Sequence, residues 1–224
     1  MHRNKLYEEP AYGLSETAVY LKVPYNTLRY WLTGFGKQLP IIEPAVSGPT
    51  RLSFLNLLEC HALAGMRKIY NLKLPKVRSA LREVSEQFPQ PHPLITQAFL
   101  TDRRDLFIEQ MGEIINVSRR HDQLNLDFYL MYLERVETDS KGLFRFFPFV
   151  VQPRSSEPKI IEINPMVGFG KPVIAGTGIS TAIIASRFNA RESMTALAEE
   201  YGCTPEQIEE AIRWEGALPI PVAA

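Results

Sequence analysis

The spacing of apolar residues between Leu14 and Trp31 constrains this chain of 224 residues more than any other feature. In the run L-S-E-T-A-V-Y-L-K-V-P-Y-N-T-L-R-Y-W, Ala18 and Leu21 mark the inner face of a short helix and Val23 anchors a tight turn. Leu28 and Trp31 then mark the inner face of a second helix. Tyr25, Asn26, Thr27, Arg29 and Tyr30 are left pointing outward. An aromatic, an amide, a hydroxyl and a guanidinium on one outer face suit base edges and phosphates. The alternative, an ordinary amphipathic helical hairpin, has no need of an Arg-Tyr pair there.

The charge distribution agrees. Residues 1–78 hold eleven Lys/Arg against five Asp/Glu, a balance of +6, residues 79–156 nine against eleven, and residues 157–224 five against nine. A basic head on a chain with no net charge implies local nucleic-acid affinity, and the acidic tail should face something other than phosphate, a partner protein being the obvious candidate. The segment Leu14–Trp31 resembles the start of MerR-type regulators, whose second helix carries a Thr-Leu-Arg-Tyr-aromatic run.

Length and composition allow two small domains with real cores. No uncharged run approaches the roughly 18 apolar residues of a membrane span, and the charged, polar start lacks a secretory apolar core, so a cytoplasmic protein is expected. Cys60 and Cys203 sit in helical patterns without a CxxC partner and read as buried or half-buried thiols. His2, His61, His92 and His121 show no metal-ligand spacing, and neither a metal nor another cofactor is expected.

Between the second helix and the next lies the Gly- and Pro-rich stretch Thr33–Thr50, with Ile41 and Ile42 as a short β-like run, where a winged helix-turn-helix has its hairpin. Lys37 and Arg51 flank it as candidate backbone contacts; each is equally readable as an ordinary surface charge. Ser53 offers an N-cap for a helix with Leu57, Leu58 and Leu63 as its core stripe, and Leu74–Phe88 reads as a further helix. Ile95–Leu100, Leu106–Glu109 and Glu113–Val117 are strand-like and predict a small antiparallel sheet. Asp127–Arg135 reads as a short helix, and Leu143–Val151 as a strand or an aromatic clasp.

After a polar linker, Gln152–Pro158, the pattern predicts strands at Lys159–Ile163 and Pro172–Ala175, a turn at Gly176–Gly178, and a helix capped by Ser180 with Ile183, Ile184 and Phe188. Two more helices follow around Gly202–Cys203, with Leu197, Ala198, Tyr201, Ile208, Ala211 and Ile212 inside. Thr204, Pro205 and Gln207 form a capping box for the second. The expected fold is α+β: a winged helix-turn-helix domain (1–90), a central region with a small antiparallel sheet (91–152), and a C-terminal domain of a β-hairpin plus a helical helix-turn-helix (153–224).

The motifs Asn164-Pro165, Gly170-Lys171-Pro172-Val173-Ile174 and Gly176-Thr177-Gly178-Ile179 resemble the domain-of-unknown-function family 433, small antitoxin-like domains, over about sixty residues. Gly178 departs from the family, where many members carry Arg, so no role of that arginine carries over. With its MerR-like head, the layout resembles long VapB-type antitoxins encoded beside PIN-domain ribonuclease toxins. That resemblance implies operator DNA and a cognate ribonuclease toxin as partners, and a helix-turn-helix used for dimerisation as much as for DNA.

Gly168-x-Gly170-Lys171 is no Walker loop, since the glycine spacing is wrong and Pro172 removes a backbone donor where a helix should start. No Ser/His/Asp set can be assembled, and Glu199–Glu200 and Glu206–Glu209–Glu210 read as an outward solvated or partner-binding face. The expectation is a non-enzymatic homodimeric antitoxin and autorepressor. The alternatives are a MerR-like ligand-responsive regulator, with its small molecule in the central sheet, and a nuclease or phosphate-dependent enzyme, against which stands the lack of a metal-binding acidic cluster. The uncharged tail Gly216–Ala224 offers Leu218, Ile220 and Val222 as toxin-binding anchors; a frayed terminus or a strap on its own core is the other reading.

Overall fold

The computed structural model describes residues 5–34, 36, 38–70 (side chains of 69 and 70 apart), 75, 78, 86, 91–92, 94–95, 129–138, 144–151, 153 and 157–216. Helices and small antiparallel sheets are mixed, the α+β class. The chain divides into two compact units: Met1–Glu134 with Thr138–Leu143, and Arg135–Glu137 with Phe144–Ala224.

The first unit begins with β1 (Tyr12–Gly13), α1 (Leu14–Leu21) and α2 (Tyr25–Thr33), followed by β2 (Val46–Ser47), β3 (Thr50–Leu52) and the long α3 (Phe54–Tyr70). β3 is central and antiparallel to both neighbours, pairing Tyr12 with Leu52 and Val46 with Arg51. Gly13 opens α1, its N–H donating to Glu16 Oε2 (3.3 Å) as in a capping box. Lys22 ends it at φ 51°, and the Val23 N–H closes the turn on Ala18 O (3.1 Å).

The buried positions of α1 are Thr17 and Tyr20, whereas Ala18 and Leu21 are only half-buried. The Tyr20 ring meets the Tyr12 ring edge-on at 6.4 Å, and packing so large a side chain rolls the helix toward that stripe. On α2, Leu28 and Trp31 are buried as their spacing predicts, joined by Leu32. Burying an aromatic of that size contributes about 3 kcal/mol.

Gly34 stops α2 at φ 71°, and a Cβ there would lie 2.0 Å from Gln38 O, so only glycine lets the chain fold back so closely. Ile41 and Ile42 are not a strand. Their N–H groups donate to Trp31 O (2.6 and 3.2 Å) and so strap the chain across the end of α2, and the hairpin comes later, at β2 and β3.

Ser53 caps α3 as its sequence predicts, its Oγ accepting from Asn56 N (3.1 Å) while Asn56 Oδ1 accepts from Ser53 N (3.1 Å). Leu57, Leu58 and Leu63 are fully buried. Residues 129–133 are helical, and Tyr132 lies against Gly65 so tightly that a Cβ there would meet its ring at 2.7 Å. The buried His61 Nε2 is 2.8 Å from Tyr132 O.

Of Leu74–Phe88 only Pro75, Arg78 and Glu86 are described, all helical. The sheet expected from Ile95–Leu100, Leu106–Glu109 and Glu113–Val117 lies outside the described residues, except that Ile95 itself is helical.

In the second unit β4 (Val136–Thr138) pairs with β5 (Phe144–Phe146), and Phe146 bridges to Ile163. β6 (Ile161–Glu162), β7 (Val173–Ile174) and β8 (Ile179–Ser180) form an antiparallel sheet in that order, pairing Ile161 with Ile174 and Ile174 with Ile179. The expected C-terminal hairpin therefore carries a third strand, formed by only two residues after the Gly176–Gly178 turn, too few to show an alternating pattern.

Three helices complete this unit: α4 (Thr181–Asn189), α5 (Met194–Tyr201) and α6 (Pro205–Trp214). Ser180 precedes α4, but its side chain makes no capping bond, and Ile183 is half exposed while Ile184 is buried. Ser193 caps α5 through Ala196 N (3.1 Å). The capping box of α6 is present, with Thr204 N donating to Gln207 Oε1 (2.9 Å) and Gln207 N to Thr204 Oγ1 (3.3 Å). Ile161, Ile174, Ile184, Leu197, Ile208, Ala211 and Ile212 share one core. Among the described residues no helix is long and apolar enough to cross a membrane.

Candidate nucleic-acid interface

α2 presents the candidate face. Tyr25, Asn26 and Arg29 are exposed, and Tyr25 keeps 45% of its surface in solvent although it is a large aromatic. Thr27 is half-buried. Tyr30 is half-buried too and engaged within the molecule: its hydroxyl donates to Gln38 Oε1, and the Arg78 guanidinium lies 5.4 Å over its ring. The opposite face is anchored by Leu28, Trp31 and Leu32, with the Arg67 guanidinium 5.7 Å over the Trp31 ring. Tyr25, Asn26 and Arg29 thus stand on a helix whose rotation is fixed by its core.

Arg51 lies on the central strand β3, exposed, with Nη2 donating to Ala11 O (3.2 Å). Its backbone pairs with both Gly13, which opens α1, and Val46 of the hairpin, so the strand ties the two to one frame. Lys37 and the tail residues Leu218, Ile220 and Val222 lie outside the described residues.

Sequence reasoning missed Arg78 beside Tyr30 and the polar group at the start of α3. Asn56 (1% exposed) donates to Glu43 O (2.9 Å) and accepts from Ala45 N (3.0 Å), so it clamps the segment between α2 and the hairpin. The buried Glu59 accepts from His92 Nδ1 (2.8 Å) and, at 3.4 Å, from Asn56 Nδ2. No local pattern marks such a group, because its members are far apart in sequence.

The candidate for protein contacts is the acidic second unit. Several of its carboxylates are paired with arginines. Arg187 binds Glu192 and Glu200 together with the Tyr201 hydroxyl, and those hydrogen bonds hold both carboxyls below the usual range. Arg213 binds Glu209 and Glu210, and Glu210 is buried, not outward. Glu199 and Glu206 are exposed.

Neither thiol is a poised nucleophile. Burial, with the Glu59 charge beside it, pushes the Cys60 thiol well up, and burial does the same to Cys203. Among the described residues no three His, Cys, Asp or Glu side chains converge as a metal ion requires.

Residues 161–214 match the family model described as "Protein of unknown function (DUF433)". The chain is 26% identical to "Putative antitoxin VapB45" of Mycobacterium tuberculosis over 231 residues, 92% of this chain and 94% of that protein. It is 25% identical to "Uncharacterized protein Rv2308" of the same organism, over 95% of this chain and 92% of the relative. The X-ray crystal structure of Rv2018 from Mycobacterium tuberculosis superposes with a TM-score of 0.68 at 25% identity, covering 91% of this chain and 98% of that one.

Proposed function

We propose that this chain is the antitoxin of a toxin–antitoxin pair, without catalytic activity of its own, and that it represses its own operon by binding operator DNA. The observation that carries the reading is the likeness to a protein named as a putative antitoxin along nearly the full length of both chains. A likeness spanning both units supports an antitoxin role for the whole molecule, beyond a shared C-terminal domain. A toxin is then the expected partner, and a ribonuclease with a PIN domain fits the acidic second unit, since an RNA-cleaving protein carries a basic surface.

In this reading residues 1–90 bind DNA as a winged helix-turn-helix of MerR-like type. α2 enters the major groove with Tyr25, Asn26 and Arg29 toward base edges, Thr27 and Tyr30 at its margin, and Lys37 and Arg51 on the backbone. Residues 153–224 serve dimerisation and toxin binding, with Leu218, Ile220 and Val222 of the tail as anchors. A homodimer follows from the need to read a two-fold operator.

In a mobility-shift titration on the DNA upstream of its own gene, Arg29→Ala and Asn26→Ala should each weaken binding by about 1–3 kcal/mol if they contact bases. Loss of a phosphate contact instead lowers the salt slope by about one. Unchanged affinity and slope in both variants remove α2 from the interface.

Toxin binding is checked separately. The protein of the adjacent gene, expressed with a tag, should retain this chain through purification and lose its ribonuclease activity in the complex. If the two proteins neither co-purify nor affect each other's activity, the antitoxin reading fails even where DNA binding holds.

A further inference from the structure

A cavity of about 580 Å³ opens in the first unit between the α2–hairpin connection and the start of α3. Its volume lies within the range of about 300–1,000 Å³ typical of small-molecule sites. Ile41, Ile42 and Leu94 supply apolar wall, Glu8 and Glu43 bring carboxylates, and Glu59 lines it as a buried one. Among the described lining residues there is no lysine or arginine.

The electrostatics select the ligand's sign. Glu59 is 5% exposed, and both its described donors, His92 Nδ1 and Asn56 Nδ2, reach Oε2. Among the described residues nothing donates to Oε1, so this carboxylate lines the cavity with acceptor capacity to spare. A cationic donor placed there makes a charge-assisted hydrogen bond.

A bare metal ion is the wrong cation, because no three acidic or imidazole side chains among the described residues converge on a point. Carboxylates at separate points around a partly apolar space match instead a molecule whose positive charges are spread along an apolar chain. We propose that this cavity binds a linear aliphatic polyamine, with one ammonium on Glu59 Oε1, the others on Glu43 and Glu8, and the methylenes against Ile41, Ile42 and Leu94. The claim rests on the cavity alone and stands whether or not α2 reads DNA.

The test is isothermal titration calorimetry of the full chain with spermidine at fixed ionic strength. Saturable binding at one site is expected, lost by about tenfold or more in Glu59→Gln and weakened several-fold in Glu43→Gln, while 1,8-octanediol does not bind. Should Glu59→Gln fail to fold by circular dichroism, Glu43→Gln decides, because Glu43 is exposed and makes no side-chain bond among the described residues. Absence of saturable heat overturns the proposal. So does unchanged affinity in both folded variants, or displacement of spermidine by an equal concentration of Mg²⁺, which marks diffuse charge screening.

Discussion

Replacing Arg135 by Ala is expected to destabilise the second unit by about 3–5 kcal/mol, the largest effect of any single polar substitution we foresee. Arg135 is 4% exposed, and its guanidinium serves four carbonyls on two separate segments. Nε donates to Phe147 O (2.6 Å), Nη1 to Glu157 O (2.8 Å), and Nη2 to Pro148 O (3.1 Å) and Pro158 O (3.2 Å), with the Phe149 ring stacked 4.7 Å away.

Burial pulls its pKa below the usual arginine value, opposed by the charges of Glu157 and Glu137, and the group stays ionised because its donors are almost all used. Truncation leaves four carbonyls, two of them in buried bonds, without this donor and a hole beside Phe149. Lysine does not repair this, since a single ammonium cannot reach two strands of carbonyls in a planar fork, so Arg135→Lys should lose about 2 kcal/mol or more.

The check uses the two tryptophans, Trp31 in the first unit and Trp214 in the second. In a Trp31→Phe background, urea unfolding followed by Trp214 fluorescence should show the Arg135→Ala midpoint fall sharply. A shift within about 0.5 kcal/mol of the parent, the ordinary range for a surface change, would mean that water serves those carbonyls as well as Arg135 does.

Local chemistry was legible in the sequence wherever a fold element is decided within a few residues. The Ser53 cap, the Thr204–Gln207 box, the Leu28–Trp31 stripe and the helical inner positions of α5 and α6 each rest on neighbours three or four places apart. The α2 face was legible for the same reason, because a face opposite a fixed apolar stripe must be outward. Tyr30 marks the limit. Its spacing is outward, yet Gln38 and Arg78 cover it, and Arg78 arrives from forty-eight positions along the chain.

Arg135 shows the same limit in the core. Its partners are carbonyls, which every residue has, so nothing in a side-chain pattern announces them. Ile41 and Ile42 read as strand because they are β-branched, and their strap on Trp31 O is a tertiary contact that overrides that propensity, so the hairpin occupies only the end of the Thr33–Thr50 stretch and its border at β3. In its run of glutamates Glu210 reads as solvated, yet it is buried and paired with Arg213 one turn along.

Asn56→Ala should destabilise the first unit by about 2–4 kcal/mol and weaken operator binding beyond that loss. The amide is buried and used from both ends. Oδ1 accepts from Ala45 N and Ser53 N, Nδ2 donates to Glu43 O, and alanine leaves all three backbone groups unmatched. Two of the three belong to the segment that carries the chain from α2 to the hairpin, so the substitution loosens the hairpin and Arg51 relative to α2 while the α2 core of Leu28 and Trp31 is untouched.

Asn56→Asp separates the two halves of the role. It keeps the acceptor for Ala45 and Ser53 but loses the donor to Glu43 O and sets a second carboxylate beside Glu59, so it should be no more stable than the alanine variant at neutral pH and should recover as the pH falls. Protonation of the introduced carboxyl restores a donor and removes the repulsion, and the sign is that of a group whose folded-state affinity for protons exceeds its unfolded one. Urea unfolding followed by Trp31 in a Trp214→Phe background measures the stability. Titration of operator DNA well below the melting range measures the coupling. An Asn56→Ala protein with lowered stability but unchanged DNA affinity would show that the hairpin takes no part in binding, leaving α2 alone as the reading surface.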